Sequence, residues 1–350
     1  RYANREIAPE LSPPDPDFLY KVLADMVASD IEYVVMEVSA HALHFGKTEG
    51  IAFEAGIFTN LTEDHLDFFP TMEAYAAAKE KLFAPGVCRF CVPNTDDAEG
   101  RKLAASCREP FTYALENPAD VFAVDIRESF EGSRFVINLF DELYEIRLRL
   151  AGLHNVYNAM AAAECAKLLG VSVPVIAAGL AALPRVSGRL EHIARFRGAD
   201  IFVDFAHTPD GLEKSLSALR RHCAGRLICV FGCGGNRDTR KRPLMGAIAA
   251  RLADFTVLTS DNPRYEDPFD IILQIEEGVR PQTEDYVIVV DRESAIEYAV
   301  DMLQAGDVLL VAGKGGETYQ EIMGVGHIYN DIAVVRGAIE CAARRKDRER

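Results

Sequence analysis

The 350-residue sequence has no apolar run that approaches the roughly 20 residues of a membrane-spanning helix. It also has no excess of positive charge, because 54 acidic residues outnumber 38 basic ones and give a formal net charge of −16. A nucleic-acid backbone is therefore not expected as the main partner. We expect a cytoplasmic protein with neither a membrane span nor a signal peptide.

A second cysteine pair is also missing. Cys88 and Cys91 have C-x-x-C spacing, but no matching pair follows to complete a zinc site, so Cys91 is interpreted as part of a strand over 89–92. A redox role for this pair is the alternative. Four further cysteines lie in apolar runs: Cys165, Cys223, Cys229 and Cys341. This distribution is typical of a reducing compartment, where cysteine acts as a small core residue.

A complete phosphate loop is missing as well. The pattern Gly-x-x-x-x-Gly-Lys-Ser/Thr, whose backbone amides cradle nucleotide phosphates, does not occur in these residues. Gly46-Lys47-Thr48 comes closest, but the position five residues before Gly46 is His41. In Gly313-Lys314-Gly315, no Ser or Thr follows the lysine. Neither segment is therefore expected to form such a loop.

The composition is that of a globular protein, with 49% hydrophobic and 26% charged residues. A chain of this length can hold two ordinary domains. The segment Pro184-Arg185-Val186-Ser187-Gly188 favours a turn and separates two different sequence patterns. We therefore predict one domain over 1–185 and a second over 186–350.

Hydrophobic periodicity predicts α/β structure in both halves. In the first half, strands are predicted over 32–38, 55–58, 121–126, 134–140 and 144–150, the last three antiparallel, and helices over 71–83, 154–169 and 173–182. In the second half, strands are predicted over 201–204, 227–231, 255–259, 286–290 and 308–311, and helices over 209–222, 243–252, 268–279, 293–303 and 332–343. This regular alternation predicts a doubly wound, mostly parallel sheet of the Rossmann type.

The run from Ser260 to Pro268 is the most informative segment. It follows a predicted strand directly, and two prolines fix it as a loop. Open α/β sheets bind ligands at the carboxyl ends of their strands. Arg264 offers a planar cation that suits a carboxylate, and Asn262 adds a donor and an acceptor beside it. An isolated Asn-Pro-Arg would instead be interpreted as a turn with a solvated arginine.

Other polar clusters also follow predicted strands. They occupy residues 36–41, 59–67, 204–210, 231–238 and 313–317. Each alone is weak evidence, because glycine-rich loops occur in many phosphate sites and a lone histidine is more often a core residue. The functional interpretation therefore depends on the number of these clusters and on their order along the chain.

In this order, the clusters resemble the motifs of the Mur ligases, ATP-dependent enzymes that form amide bonds in peptidoglycan precursor synthesis. The resemblance runs from about residue 12 to about residue 335 and is strongest to the branch that adds the third residue of the stem peptide. It implies a central ATPase-like domain followed by a Rossmann-like domain that binds the amino acid. It also implies a monomer that uses ATP, Mg²⁺ and the acceptor UDP-N-acetylmuramoyl-L-alanyl-D-glutamate.

The resemblance assigns metal binding and catalysis to three residues. Glu37 matches a magnesium-binding glutamate, His65 the histidine of a second magnesium site, and Lys79 a lysine that the family carbamylates. Carbamylation turns an ammonium into an anionic ligand. Without the resemblance, Lys79 would be interpreted as an exposed helix lysine. Phosphoryl transfer builds negative charge, so metal and fixed cations are expected to carry much of the catalysis.

The nucleotide and acceptor contacts are likewise implied by the resemblance. Asn155 and Asn158 match the adenine segment, Arg189 and Asp204 match residues that contact ATP phosphate and ribose, and His207 belongs to the same motif. On the acceptor side, the matching residues are Ser12, Ser39 and Lys47. Ser12-Pro13-Pro14 replaces a usual Thr-Thr-Pro, Ala40 replaces a serine, and Lys47 stands where an arginine is common.

The incoming amino acid is implied to be meso-diaminopimelate. The matching pocket residues are Arg237, Asp261, Asn262, Arg264, Gly313 and Glu317. The distal carboxylate of diaminopimelate would pair with Arg264 and its distal ammonium with Glu317. L-Lysine lacks that carboxylate and would leave the arginine unpaired, which is a strong basis for discrimination. One departure is Gly316, where the family usually has histidine.

The family also has an N-terminal uridine-nucleotide domain and a phosphate loop that are not found in this sequence, which begins with Arg1. We expect a fragment that starts just after that loop and forms the amide at no useful rate. The alternatives are a non-catalytic binding module, an L-lysine-adding ligase and a related ligase such as folylpolyglutamate synthase. Retention of the three predicted metal ligands argues against the first alternative, and Arg264 argues against the second. The Asp261–Arg264 loop and the Asp64-His65-Leu66-Asp67 context argue against the third.

Overall fold

The computed structural model describes residues 13–348, and their side chains up to residue 345. The chain forms two compact units, which are described separately. Unit 1 comprises residues up to 61 together with 68–119, and unit 2 comprises 62–67 together with the residues from 120 onward. The domain boundary between 185 and 186 stays a prediction.

From residue 13 onward, unit 1 contains a two-stranded parallel sheet and four helices. In chain order, its elements are α1 (Pro16–Ala28), α2 (Ala40–His44), β1 (Phe53–Phe58), α3 (Met72–Glu80) with a 3-10 turn over Lys81–Phe83, β2 (Cys88–Pro93) and α4 (Ala98–Ser106). The structure confirms the second predicted strand and the helix that begins after Thr71. The Thr71 hydroxyl accepts a hydrogen bond from the Ala74 amide at 3.2 Å and so caps α3.

The strand predicted over 32–38 is wrong. Residues 31–39 form neither helix nor strand, and Tyr33, Val34 and Val35 are 61%, 47% and 100% exposed. A parallel strand needs neighbours that accept its backbone hydrogen bonds and helices that cover its faces. Within residues 13–348, β1 pairs only with β2, so the apolar run around Val35 has no ladder to join.

One cysteine pair departs from the expected role of small core residues. Cys91 in β2 and Cys107 at the end of α4 form a disulfide. Their separation of 16 residues forms no motif that could have been recognised in the sequence. Of the four cysteines expected in the core, Cys229 is buried, Cys165 and Cys223 are partly exposed, and Cys341 is exposed.

Unit 2 begins with an antiparallel sheet and two helices, as predicted. The strands are β3 (Val121–Ser129), β4 (Gly132–Leu139) and β5 (Glu142–Leu148), and the helices are α5 (Leu153–Leu168) and α6 (Val173–Ala182). Gly170 follows α5 with a φ of +86°, the left-handed conformation that glycine supplies at helix ends.

The rest of unit 2 is a six-stranded sheet with helices on both faces. Its strands are β6 (Glu191–Phe196), β7 (Ala199–Asp204), β8 (Leu227–Phe231), β9 (Phe255–Leu258), β10 (Tyr286–Ile288) and β11 (Val308–Ala312). Its helices are α7 (Pro209–Arg220), α8 (Lys241–Leu252), α9 (Pro268–Val279), α10 (Arg292–Asp301) and α11 (Asp331–Arg348). The spatial order is β10-β9-β8-β11-β7-β6, and only β6 is antiparallel to its neighbour. This confirms the doubly wound prediction.

The two apolar faces of this sheet form separate cores. One packs against α7, α8 and α9, and the other against α10 and α11. Because β7, β8, β9 and β11 are parallel, the loops that follow them emerge at the same edge of the sheet. Sequence patterns missed β6 and an exposed hairpin, β12 (Tyr319–Ile322) and β13 (Val325–Ile328).

No helix within residues 13–348 is long and apolar enough to cross a membrane.

Candidate functional site

The loop after β9 is joined to the β12–β13 hairpin by backbone hydrogen bonds. The Arg264 amide donates to the Glu321 carbonyl at 3.1 Å, and the Met323 amide donates to the Arg264 carbonyl at 2.6 Å. Arg264 has a φ of +52°, an uncommon conformation for a residue with a side chain. The hairpin therefore helps to fix the direction in which the Arg264 side chain points.

The Arg264 guanidinium is held along one edge. Its Nε donates to Glu321 Oε2 at 3.1 Å and its Nη1 to the Gly235 carbonyl at 2.8 Å. Its Nη2 makes no hydrogen bond to the described residues, and the side chain is 18% exposed. A planar fork with one fixed edge and one open nitrogen is suited to a carboxylate ligand.

Asn262, Lys314 and Glu317 form a second polar group beside it. Lys314 Nζ lies 2.8 Å from both Asn262 Oδ1 and Glu317 Oε2, and Asn262 Nδ2 lies 3.0 Å from the same Glu317 oxygen. The Lys314 side chain is completely shielded from solvent, whereas Glu317 is 23% exposed. Oε1 of Glu317 makes no hydrogen bond to the described residues, so it is available for an ammonium ligand. We call Asn262, Arg264, Lys314, Glu317 and Glu321 the loop cluster.

Arg292 is bonded to the start of both loops that supply the loop cluster. Its guanidinium donates to the Ser260 carbonyl at 3.2 Å and to the Ala312 carbonyl at 2.9 Å. These are the residues immediately before Asp261 and Gly313. Arg292 therefore fixes where both loops begin.

Asp261 and Gly313 pack closely above Arg292. Asp261 is 8% exposed, and its Oδ2 is buried without a hydrogen-bond partner in the described part of the chain. Gly313 has a φ of +118°, and a Cβ there would lie 2.6 Å from that oxygen. Only glycine fits this position, because a side chain would meet both backbone strain and the Asp261 carboxylate.

The glycine-rich loop after β8 is held by an ion pair between buried Arg242 and half-buried Glu266. The Arg242 side chain is fully shielded from solvent and donates to both Glu266 carboxylate oxygens and to the Gly234 carbonyl at 3.1 Å. The Asn236 amide also donates to Glu266. This arrangement ties the glycine-rich loop to the loop after β9. Arg237, predicted to bind the amino acid, lies on the glycine-rich loop and is exposed.

The predicted nucleotide residues of unit 2 have mainly internal contacts. The Asp204 carboxylate accepts from the Leu190 amide at 2.5 Å, the Ala206 amide at 3.0 Å and the Ser215 hydroxyl at 2.8 Å. It therefore links the end of β7 to neighbouring backbone. Its predicted contact with ATP stays a prediction.

Arg189 stacks on an aromatic ring, with its guanidinium carbon 4.4 Å from the Phe205 ring centroid. In α5, Asn155 Nδ2 donates to the Ala151 carbonyl at 2.8 Å, and Asn158 Nδ2 lies 3.3 Å from Asn155 Oδ1. Asn155 is buried and Asn158 is exposed. The structure brings the two asparagines together, and their adenine contacts remain predictions.

Two predicted histidines flank one carboxylate. His65 Nε2 lies 3.6 Å, and His207 Nε2 lies 4.0 Å, from Asp64 Oδ2. His65 has a φ of +58°, and its amide is bonded to Asp64 Oδ1 at 2.9 Å. Sequence motifs placed these histidines in separate clusters, and the fold of unit 2 brings them to the same aspartate.

The remaining predicted residues lie in unit 1. Glu37 is exposed in the irregular segment, and Lys79 Nζ lies 5.1 Å from the Tyr75 ring centroid. Ser39 caps α2 by accepting from the Ala42 amide at 3.3 Å. Lys47 forms an ion pair with Asp15 at 2.7 Å. Ser12 lies outside the described residues.

The predicted magnesium ligands come from both units, since Glu37 and Lys79 belong to unit 1 and His65 to unit 2. Within residues 13–348, no group of three or more His, Cys, Asp or Glu side chains is arranged to hold a metal ion. Convergence of Glu37, His65 and carbamylated Lys79 on a cation therefore stays a prediction.

Two glycine-containing loops of unit 2 touch backbone to backbone. A Cβ at Gly188 would lie 2.0 Å from the Gly316 nitrogen and 2.2 Å from the Gly315 carbonyl carbon. Gly188 has a φ of +65°. The segment predicted to meet ATP phosphate is thus packed directly on the loop that carries Glu317.

Sequence analysis missed the charged residues that support this site, namely Arg242, Arg292, Lys314 and Glu321. Each is paired with a residue between 3 and 57 positions away. Only Arg292 had a signal in the sequence that could have identified it. It is a charged residue that follows a predicted strand and lies beside an apolar helix face. The partners themselves depend on the folded chain.

Models of two known domains match most of the sequence. The Mur ligase middle domain matches residues 8–166, and the Mur ligase, glutamate ligase domain matches residues 188–315. A UDP-N-acetylmuramoyl-L-alanyl-D-glutamate–2,6-diaminopimelate ligase of Caldanaerobacter subterraneus subsp. tengcongensis is 43% identical over 87% of this chain and 63% of its own length. The ligase of the same name from Geobacillus kaustophilus is 41% identical over 93% of this chain and 68% of its own length.

A solved structure of a ligase of that name superposes with a TM-score of 0.63 and 36% identity, covering 97% of this chain and 71% of the other. The chain spans 63–66% of the length of the first three curated relatives. Together with the doubly wound fold and the loops at its strand ends, these matches show that the chain belongs to the Mur ligase family.

Proposed function

We propose that this chain is part of an ATP-dependent ligase that adds meso-diaminopimelate to UDP-N-acetylmuramoyl-L-alanyl-D-glutamate in peptidoglycan precursor synthesis. The observation that carries the proposal is the placement of Arg264 and Glu317 in one loop cluster, each with an open ligand atom. The names of the relatives support the same reaction. The proposal includes a cytoplasmic monomer.

The loop cluster provides for both charges at the distal end of diaminopimelate. The open Nη2 of Arg264 would bind the distal carboxylate, and the open Oε1 of Glu317 would bind the distal ammonium. Asn262 helps to fix the position of the Glu317 carboxylate, because its side chain bonds to Glu317 and to Lys314. An amino acid bound in this way presents its other amine for attack on the activated acceptor carboxylate.

ATP and Mg²⁺ belong to the proposal through the family. ATP would phosphorylate the acceptor carboxylate, and the amine would displace phosphate from the resulting acyl phosphate. Arg189, held against Phe205, is a fixed cation suited to phosphate. The assignment of Glu37, His65 and Lys79 as cation ligands rests on the resemblance. The proposed contacts with the amino acid do not depend on that assignment.

Calorimetric titration of the 350-residue chain tests the proposed amino-acid site directly. We expect saturable binding of meso-diaminopimelate at millimolar concentration or below and weaker binding of L-lysine. The Lys214→Met variant, which removes a solvent-exposed charge outside the loop cluster, is the control and should bind like the wild type. Equal binding of both amino acids, or of neither, would contradict the proposal.

A further inference from the structure

The two residues proposed to bind the distal end of the amino acid are each paired with an oppositely charged side chain. Lys314 Nζ lies 2.8 Å from Glu317 Oε2, and Glu321 Oε2 lies 3.1 Å from Arg264 Nε. Each proposed ligand group therefore already has an oppositely charged partner from the protein. None of the predictions from the sequence gave Lys314 or Glu321 a role.

The charges of the loop cluster cancel. Arg264 and Lys314 are cations, Glu317 and Glu321 are anions, and Asn262 is neutral. The distal end of diaminopimelate is a zwitterion and also carries no net charge, whereas the distal end of L-lysine carries one positive charge. A lone ammonium at Glu317 would meet the fields of two cations without bringing a carboxylate to offset them.

Lys314 is placed to exert a strong and constant field. Its side chain is completely shielded from solvent, and Nζ lies 5.6 Å and 5.9 Å from the ring centroids of Tyr319 and Tyr329. Its Nζ and Asn262 Nδ2 both donate to Oε2 of Glu317. Charges act more strongly where water is excluded. Lys314 therefore weakens the attraction of Glu317 for a simple cation and leaves its geometry fixed.

We propose that Lys314 is a specificity-determining residue, with Glu321 as its counterpart at Arg264. Together they keep the loop cluster neutral, so that it selects an amino acid whose distal end carries both charges over one that carries only an ammonium. This inference rests on the proposed function, because it concerns the choice between two amino acids at the same site.

The test compares calorimetric affinities for meso-diaminopimelate and L-lysine in variants of the 350-residue chain. Lys314→Met removes the cation and keeps the length of the side chain, so the preference for diaminopimelate should fall about tenfold or more. Glu321→Gln removes an anion and should shift the preference in the opposite direction. The double variant restores neutrality and should return to within about threefold of the wild-type preference.

Lys214→Met is the matched control, because Lys214 pairs with Asp210 at the surface with 45% of its side chain exposed. It should leave the preference unchanged. If the single variants change both affinities by the same factor, the two residues are only structural and the inference is wrong. If Lys314→Met fails to fold in thermal unfolding, Glu321→Gln decides, because the Glu321 side chain is 29% exposed.

Failure of the proposed function has a different signature. A wild-type chain that binds neither amino acid, or binds both equally, would overturn the proposed function, and the inference with it, before any variant is compared. A wild-type chain that prefers diaminopimelate, with variants that keep the same preference, would overturn the inference alone.

Discussion

Arg292 and Asp331 form an ion pair from which solvent is completely excluded. The Arg292 Nε and Nη2 atoms each lie 2.8 Å from a different oxygen of the Asp331 carboxylate. Arg292 also bonds to the last carbonyls before two functional loops. The stability of unit 2 and the placement of those loops therefore depend on the same side chain.

Arg292→Met should destabilise unit 2 by about 3–5 kcal/mol, because it leaves the Asp331 carboxylate buried without a charged partner. Arg292→Met combined with Asp331→Leu removes both charges and should cost much less. Urea unfolding followed by circular dichroism measures both changes. Arg251→Met is the control, since Arg251 and Glu213 are 52% and 47% exposed, and it should change the free energy of unfolding by less than about 1 kcal/mol. A double variant as unstable as the single one would contradict this account.

Glu164 should make the protein less stable as the pH rises. This residue in α5 is fully buried, neither carboxylate oxygen has a hydrogen-bond partner in the described residues, and burial, with a smaller effect of Asp120, raises its pKa to about 9. The folded state therefore holds a proton that the unfolded state releases above its ordinary pKa of 4.5. The free energy of unfolding should fall by roughly 4 kcal/mol between about pH 5 and pH 8 from this group alone.

Glu164→Leu provides the measurement that isolates this effect. The variant should lack this contribution, so that its stability relative to the wild type increases steadily from about pH 5 to pH 8. Unfolding by urea at several pH values gives the difference directly. A constant difference between the two proteins across that range would show that Glu164 does not hold a proton in the folded state.

Arg264→Ala should weaken binding of meso-diaminopimelate about thirtyfold or more, because it removes the proposed partner of the distal carboxylate. Arg264→Lys should not restore it, because a lysine cannot bond to Glu321 and Gly235 and still present a planar nitrogen to the ligand. Arg264→Ala should strengthen binding of L-lysine, because it removes one of the two cations that oppose a lone ammonium, whereas Arg264→Lys keeps the charge and should change it little. Titration calorimetry gives all these affinities, and an equal loss for both amino acids would indicate general disruption of the loop.

Lys79 should form a carbamate in bicarbonate buffer. The motivation is its match to the family lysine and its place in the last turn of α3. Nuclear magnetic resonance with carbon-13 bicarbonate should show a carbamate signal in the wild type. Lys79→Arg keeps a cation near the Tyr75 ring but cannot be carbamylated, so the signal should disappear. A signal that persists in the variant would assign it to another amine.

Sequence patterns predicted most elements of unit 2, because their apolar runs find neighbouring strands and covering helices in the fold. The predicted strand over 227–231 matches β8, whose five residues are all buried, and the predicted helix over 268–279 matches α9. The run over 32–38 has the same apolar character but no neighbouring strand in residues 13–348. Periodicity describes a segment, whereas a strand also requires a partner.

The candidate site was predictable to the extent that its residues lie in short motifs. Arg264 and Glu317 were found in this way, and the fold places them in one cluster. Their supporting charges were not found, because Glu321 lies 57 residues from Arg264 and belongs to a short polar strand that has no apolar pattern. Pairing across such a separation is decided by topology rather than by local sequence.

The contact between Gly188 and the loop at Gly316 limits how the sequence can vary. A Cβ at Gly316 would lie 3.1 Å from the Ser187 carbonyl oxygen, so a side chain at that position requires a shift of a few tenths of an ångström there. Substitutions at 187, 188 and 316 are therefore coupled and should be accepted in combination rather than singly. Introducing at Gly316 the histidine expected from the resemblance would press on the Ser187 backbone, so these two positions should be varied together in protein engineering.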